Sequence, residues 1–300
     1  MTGTTPVHSS ALTQKKGLQK SIVAGSIGVL VHWFDWAVYA YMATTIAAIF
    51  FPESDRTAGL LATFAVFAVS FLVRPLGAIL FGRLGDKLGR KLTLSVVILS
   101  MAVSTLILGI LPTYQTIGVL APILLILTRI VQGLAAGGEF GSAAAFLGEF
   151  SPRNRRGFGC SWLEFGSLLG FLLASFAVYL LNVALTPEQI TEWGWRIPFL
   201  ITVPLGFVGL YIRRKIEDTP EFEALQKMET VAQSPLREVF KRNPKEFIQT
   251  CGMEIFMNVT FYVVLVYLLT YQETSLGFDA GRAALLSTLA SALGLIIVPL

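Results

Sequence analysis

Apolar runs of about 20 residues alternate with short polar connections along nearly the whole chain. At about 1.5 Å per residue, each run can cross the ~30 Å hydrocarbon core of a bilayer as a helix. The pattern predicts seven spans and the start of an eighth: about 21–50, 58–83, 92–111, 122–147, 157–181, 198–212, 247–271 and 283–300. Between the second and third lies Gly-Arg-Leu-Gly-Asp-Lys-Leu-Gly-Arg-Lys, residues 82–91. Arg83, Asp86, Lys87, Arg90 and Lys91 cannot lie in lipid at acceptable cost. The stretch reads as a tight loop, its sharp return permitted by glycine.

The connections differ in charge. Lys15, Lys16 and Lys20 precede the first span, and Arg153, Arg155 and Arg156 lie between the fourth and fifth. A long polar segment from Arg213 to Lys245 follows the sixth and carries many lysines and arginines. These connections and 82–91 all fall on one side. The alternate connections hold Arg56 and Arg282, with Arg196 at a helix edge. The positive-inside rule puts the N-terminus and the basic loops in the cytoplasm. The expected organisation is a cytoplasmic tail (1–20), a six-helix bundle (21–212), a cytoplasmic linker (213–244) and the start of a second bundle (245–300). The first apolar run is too long for a cleavable signal core and reads as a retained helix. The chain ends within an apolar run, which reads as an interrupted second bundle.

Composition narrows the class. Of 300 residues, 54% are hydrophobic and 14% charged, with mean hydropathy +0.68. Soluble domains carry charge on about 25% of residues. The net charge of +4 follows from the basic connections and does not call for a nucleic-acid partner. Cys160 and Cys251 stand in or beside apolar runs, suggesting neither a disulfide scaffold nor a metal site. No nucleotide loop, metal-binding cluster or nucleophile triad is evident, so neither an enzyme nor a cofactor is expected.

Residues 82–91 resemble the signature loop of the major facilitator superfamily, with Gly82, Gly85, Asp86, Gly89, Arg90 and Lys91 matching in type and spacing. Arg129-Ile-Val-Gln-Gly with Gly137, Gly138 and Glu139 resembles its helix 4 motif, and Glu149 to Gly157 its cytoplasmic 4–5 motif. Phe34-Asp35-Trp36, Arg74-Pro-Leu-Gly, Gly137-Gly-Glu-Phe-Gly and Trp193-Gly-Trp-Arg-Ile-Pro-Phe resemble the metabolite:proton symporter family. Three stretches, at 161–171, 204–211 and 258–262, are most like the proline and glycine-betaine osmoprotectant symporters of bacteria. Relatives usually carry Gly-Asn-x-x-Glu-Trp before the helix 1 aspartate; here Val29 and His32 replace the asparagine and the glutamate. The resemblance implies an all-α, polytopic membrane fold of twelve helices, about seven to eight of them present. It also implies a bacterial inner-membrane carrier working by alternating access.

Several residues are candidates for its chemistry. His32 and Asp35 are three apart on one helix and can share a face, where they would couple protons or organise the site. Arg129 can bind a substrate carboxylate, or pair permanently with Asp35, Glu139 or Glu164. Glu164 and Glu254 lie either side of the polar linker and can meet in a central cavity. Trp36, Tyr39, Asn258 and Tyr262 can line a polar-aromatic pocket suited to a quaternary ammonium. Arg74, Asp86, Arg90, Glu139, Glu149 and Arg153 are the gating candidates. The expected partners are a small polar organic solute, protons and the lipid bilayer; the oligomeric state is not legible. The leading reading is proton symport of a zwitterion such as proline or betaine. Symport of a mono- or dicarboxylate is the close alternative, and a non-transporting receptor or scaffold the rival of another class.

Overall fold

The computed structural model of the protein describes residues 26–51, 56–88, 90–151, 153–214 and 243–298. Among them the regular elements are all helical. The first span combines α1 (26–41) with α2 (Ala43–Phe50), and the second combines α3 (Arg56–Leu72) with α4 (Arg74–Leu88). The third is α5 (Arg90–Ile110). A one-turn helix, α6 (Tyr114–Ile117), leads into α7 (Leu120–Phe150), and α8 (Arg156–Ala184) follows. After α9 (Pro187–Gln189) and a π turn at Ile190–Gly194 comes α10 (Arg196–Arg214). The seventh span joins α11 (Pro244–Tyr262), a π turn (Val263–Tyr267) and α12 (Leu268–Thr274); α13 (Ala280–Ile297) is the eighth. By length and hydropathy, Thr57–Leu84, Leu120–Glu139, Arg156–Ala184, Pro244–Thr274 and Ala280–Ile297 can each cross a membrane. Ser95–Ile110 and Arg196–Val208 are shorter apolar helices.

One local expectation is corrected. The tight loop at 82–91 is mostly helix, because α4 runs to Leu88 and α5 begins at Arg90. Continuing the helices past the apolar segments keeps the backbone hydrogen-bonded. The second span, expected to be one helix, runs as one from Thr57 to Leu84, with a local turn at Val73 that keeps the bonds from Val73 N to the Val69 carbonyl and from Gly77 N to the Val73 carbonyl. Pro75 accounts for the local turn, since it lacks an N–H and leaves one carbonyl of the preceding turn without its helical donor. The side chains of Asp86, Arg90, Glu149 and Arg153 lie outside the described residues, as does most of the 213–244 linker.

α1 is the axis of the bundle. From Trp36 to Ala43 every side chain is buried, so the helix is enclosed on all sides for two turns. A helix apolar all round belongs in such a place. Around it, α3 and α4 pack on α7, α5 packs between α7 and α10, and α7 also meets α8. The contact of α7 with α3 and α4 depends on glycine. A Cβ on Gly133 would strike the Ser70 carbonyl, and one on Gly137 the Arg74 carbonyl. The two helices therefore approach backbone to backbone, the small-residue packing that membrane helices use in place of hydrophobic burial.

The spans that follow the linker dock on the first six at particular places. α13 lies along α8, with Ala283, Ala284 and Ser291 buried and Thr288 Oγ1 donating to Ser175 Oγ at 2.9 Å. α11 buries none of its own residues; only its far end reaches the core, where Phe261 and Tyr262 pack on Trp33, Phe71 and Phe171. At the end of the bundle away from the basic connections the helices close together. There Thr44 Oγ1 donates to Glu273 Oε2 at 3.1 Å. Trp195, wholly buried, packs edge-on to Phe50 and is covered by the Arg196 guanidinium 4.5 Å from its ring.

The glycine seam gives a direct check. Gly137→Val forces α4 from α7 and should cost at least the ~1–3 kcal/mol typical of overpacking, lowering the melting temperature and the monodisperse fraction in size-exclusion chromatography. Gly82→Ala meets open space within a helix and should leave both unchanged.

Candidate functional site

Two clusters of buried polar groups hang from α1, one turn apart. The deeper holds Asp35 (α1) and Arg129 (α7), whose Oδ2 and Nη1 lie 3.6 Å apart with the arginine wholly buried. Gln132, one turn along α7, donates to Asp35 Oδ2 at 3.0 Å and to Thr105 Oγ1 of α5 at 2.9 Å. The Arg129 guanidinium lies 3.8 Å from the centre of the Tyr39 ring, whose hydroxyl donates to the Thr63 carbonyl at 3.1 Å. Among the described residues, no Arg129 nitrogen makes a geometrically sound hydrogen bond, and Asp35 Oδ1 makes none. The pair is held by charge and by the aromatic face. Removing one partner alone leaves the other charge buried and uncompensated.

The second cluster holds His32 (α1), Arg74 (α4) and Glu139 (α7). Arg74 Nη2 approaches His32 Nε2 at 3.2 Å. A guanidinium has only donors, so Nε2 must be the acceptor and the imidazole carries its proton on Nδ1. That nitrogen faces Glu139 Oε2 at 3.7 Å. Arg74 is itself enclosed by rings, 4.2 Å from Trp36, 4.3 Å from Phe71 and 5.8 Å from Trp33. His32 and Asp35 therefore do not pair with each other. One faces Arg74 and Glu139, and the other faces Arg129.

A cavity of about 460 Å³ adjoins this second cluster, between α1, α4, α7 and α8 on one side and α11 on the other. It lies in the half of the bundle nearer the basic connections. Arg74, His32 and Glu139 line it with the apolar and aromatic surfaces of Trp33, Phe71, Met257 and Phe261. Glu164 from α8 and Glu254 from α11 complete the wall. Asn258 Nδ2 donates to Glu254 Oε2 at 3.1 Å. Among the described residues, neither Glu164 nor Glu254 has an ion-pair partner. Among the described residues that line it, the cavity thus offers one cation, Arg74, already stacked on rings, and the Glu164 and Glu254 carboxylates without an ion-pair partner.

The structure sorts the candidates read from sequence. His32, Glu164, Glu254 and Asn258 share the cavity, with Arg74 and Glu139 in its wall. Arg129 and Asp35 are deeper and do not line it. Both Trp36 and Tyr39 turn a ring face to an arginine of the protein itself, so neither offers that face to a solute. Tyr262 packs on Phe71 and Phe67, with its hydroxyl end within electrostatic reach of Arg74. Sequence reasoning missed the role of Gln132, although its position three residues after Arg129 puts it on the same helical face. Thr105, Phe71 and Phe261 carried no signal of their own.

An all-helical bundle with buried, paired charges beside a cavity fits the fold of the major facilitator superfamily. The chain belongs to the sugar (and other) transporter family of that superfamily, whose family model matches residues 20–262. It is 40% identical over 278 residues to a proline/betaine transporter of Salmonella typhimurium, covering 90% of this chain and 56% of that protein. It is 41% identical over 296 residues to a putative proline/betaine transporter of Staphylococcus aureus, covering 96% and 62%. The chain therefore spans little more than half the length of these relatives. Its fold matches a crystal structure of a D-xylose–proton symporter with TM-score 0.73 at 18% identity, over 92% of this chain and 66% of that one. A partially occluded, inward-open structure of the Escherichia coli xylose transporter XylE gives TM-score 0.70 at 16% identity, over 94% and 69%.

The ion pair is testable by a double-mutant cycle. Asp35→Asn and Arg129→Gln should each lower stability by about 3–5 kcal/mol, read as melting temperature in detergent, and the double variant should recover a large part of the loss. Additive losses would show that the two side chains are not coupled.

Proposed function

We propose that the full-length protein carries a small zwitterionic organic solute, such as proline or a betaine, inward together with protons across a bacterial inner membrane. The observation that carries this reading is the charge balance of the cavity. It holds an arginine on one wall and, on the other, Glu164 and Glu254, which have no ion-pair partner among the described residues, with aromatic and methionine surface between. A zwitterion answers each group. Its carboxylate would go to Arg74 and its cationic nitrogen to Glu164 and Glu254, with the Phe261 ring adding cation–π attraction. A dicarboxylate would meet like charge at Glu164 and Glu254, which costs affinity unless both take up protons. The relatives named for proline and betaine transport support the same class.

In this reading residues 21–212 form one rocking body, 213–244 link it to the next, and 245–300 begin the second. The distribution of lysine and arginine supports a cytoplasmic N-terminus. The cavity then faces the cytoplasm, and the ties at Thr44–Glu273 and around Trp195 form the closed outer gate. Asp35 is the proton-coupling carboxylate. Taking up a proton removes the charge that holds Arg129, loosening α1 from α7. Solute in the cavity and a proton on Asp35 together would permit the change of access, which requires that they stabilise the new state over the old.

The test is uptake by full-length protein in proteoliposomes. An inward acid gradient should drive saturable accumulation of labelled glycine betaine or proline, and a protonophore should abolish it. Glu254→Gln should raise KM about tenfold or more, about 1.4 kcal/mol of lost binding, and Asp35→Asn should abolish accumulation. Accumulation of succinate but not betaine would replace the zwitterion by a carboxylate. No gradient-dependent uptake of any small organic solute by folded protein would favour a receptor or scaffold.

A further inference from the structure

Between the two polar clusters lies a second, much smaller cavity of about 20 Å³, walled by α1, α5, α7 and α10. That is room for one water, which needs at least ~10–15 Å³ of this measure and two to four polar partners. Partners are present. Asp35, Thr105, Thr202, His32 and Glu139 all line it. Asp35 Oδ1 and His32 Nδ1 are buried atoms without a hydrogen-bond partner among the described residues. Thr202 Oγ1 donates to the Pro198 carbonyl and so keeps its lone pairs for accepting. His32 and Glu139 also line the large cavity, so the same two side chains form the wall between the two spaces.

We infer that this small cavity binds one structural water, and that the water relays protons between Glu139 at the solute cavity and the buried Asp35. The inference rests on the proton coupling proposed above. The step balances without a further reactant. A protonated Glu139 gives its proton to the water oxygen, and the water gives a different proton to Asp35 Oδ1. One O–H bond breaks on Glu139 and one on the water; one forms on the water and one on Asp35. The water is regenerated, Glu139 is left ionised and Asp35 neutral. His32 is a positioning residue: its Nε2 is occupied by Arg74, and its Nδ1–H orients Glu139 or the water without being lost. The other charged groups facing the path are Arg74 from α4 and Arg129 from α7. Because the relay passes through the cavity wall, Asp35 exchanges protons without an opening of its own to solvent.

Two variants fill the cavity from different helices without touching the solute site. Gly206 and Ala102 both line the space, so Gly206→Ala and Ala102→Val each narrow it and should displace the water; the Gly206 Cβ position is 3.0 Å from Ala102 Cβ, so Gly206→Ala also presses α10 on α5. The first readout is independent of transport. Radiolytic oxidation, which marks side chains beside bound water, should modify the buried Met101 in the full-length protein and slow at least fivefold in either variant; unchanged labelling would overturn the water site. The second compares two transport modes in proteoliposomes. Gradient-driven betaine accumulation should fall at least tenfold in both variants, while betaine counterflow, which needs no net proton movement, stays within twofold of wild type. Thr202→Ser, which keeps the hydroxyl, should behave as wild type. Variants that accumulate betaine normally, or that lose counterflow in equal proportion, would overturn the relay. A wild-type protein that accumulates without a gradient would instead overturn the proton coupling on which it rests.

Discussion

A charged side chain inside a lipid-embedded bundle has only two acceptable fates: it pairs, or it faces water. The architecture of this protein follows from that constraint. Asp35 and Arg129 pair at 3.6 Å in full burial, and the rings of Tyr39 and Trp36 cover the arginine. Among the described residues, Arg74, Glu139, Glu164 and Glu254 gather with His32 at one cavity. α1 carries both arrangements, which is why it must lie at the axis, and why its neighbours must come close enough to reach it. The glycines of α7 permit that approach.

The same constraint explains the asymmetry of the bundle. At one end the helices are tied by aromatic packing around Trp195 and by Thr44 to Glu273. At the other, α11 stands away from the core and exposes Met253, Phe256 and Met257. Its far end alone is anchored, through Phe261, Tyr262 and the π turn at Val263–Tyr267. π turns in helices concentrate at functional sites. Here the turn falls where the seventh span passes from packed core to cavity wall.

The spans were legible because lipid demands long apolar runs, while the lysines and arginines of the loops carry only an expectation of which side faces the cytoplasm. Boundaries were less legible. Residues 82–91 look like a turn from their glycines and charges, yet helix continues through Leu88, since a charged stretch does not by itself end backbone hydrogen bonding. The site was legible by residue type and less so by partnership. His32 and Asp35 share a helix face by spacing, but which group each meets depends on Arg74 and Arg129, 42 and 94 residues away along the chain. An aromatic residue in sequence does not reveal whether its ring face is free; those of Trp36 and Tyr39 are covered by the protein's own guanidinium groups. Gln132 could be read from its spacing to Arg129, whereas Thr105 could not, because it comes from a different helix.

The claim at the centre of this account is that the cavity between α1, α4, α7 and α11 is the solute site and faces the cytoplasm. Asn258→Cys tests it most directly, in full-length protein with Cys160 and Cys251 replaced by serine. A membrane-impermeant maleimide should label it rapidly in inside-out vesicles, and glycine betaine should slow that labelling. Labelling only from the outer face, or labelling that no zwitterionic solute slows, would contradict the account.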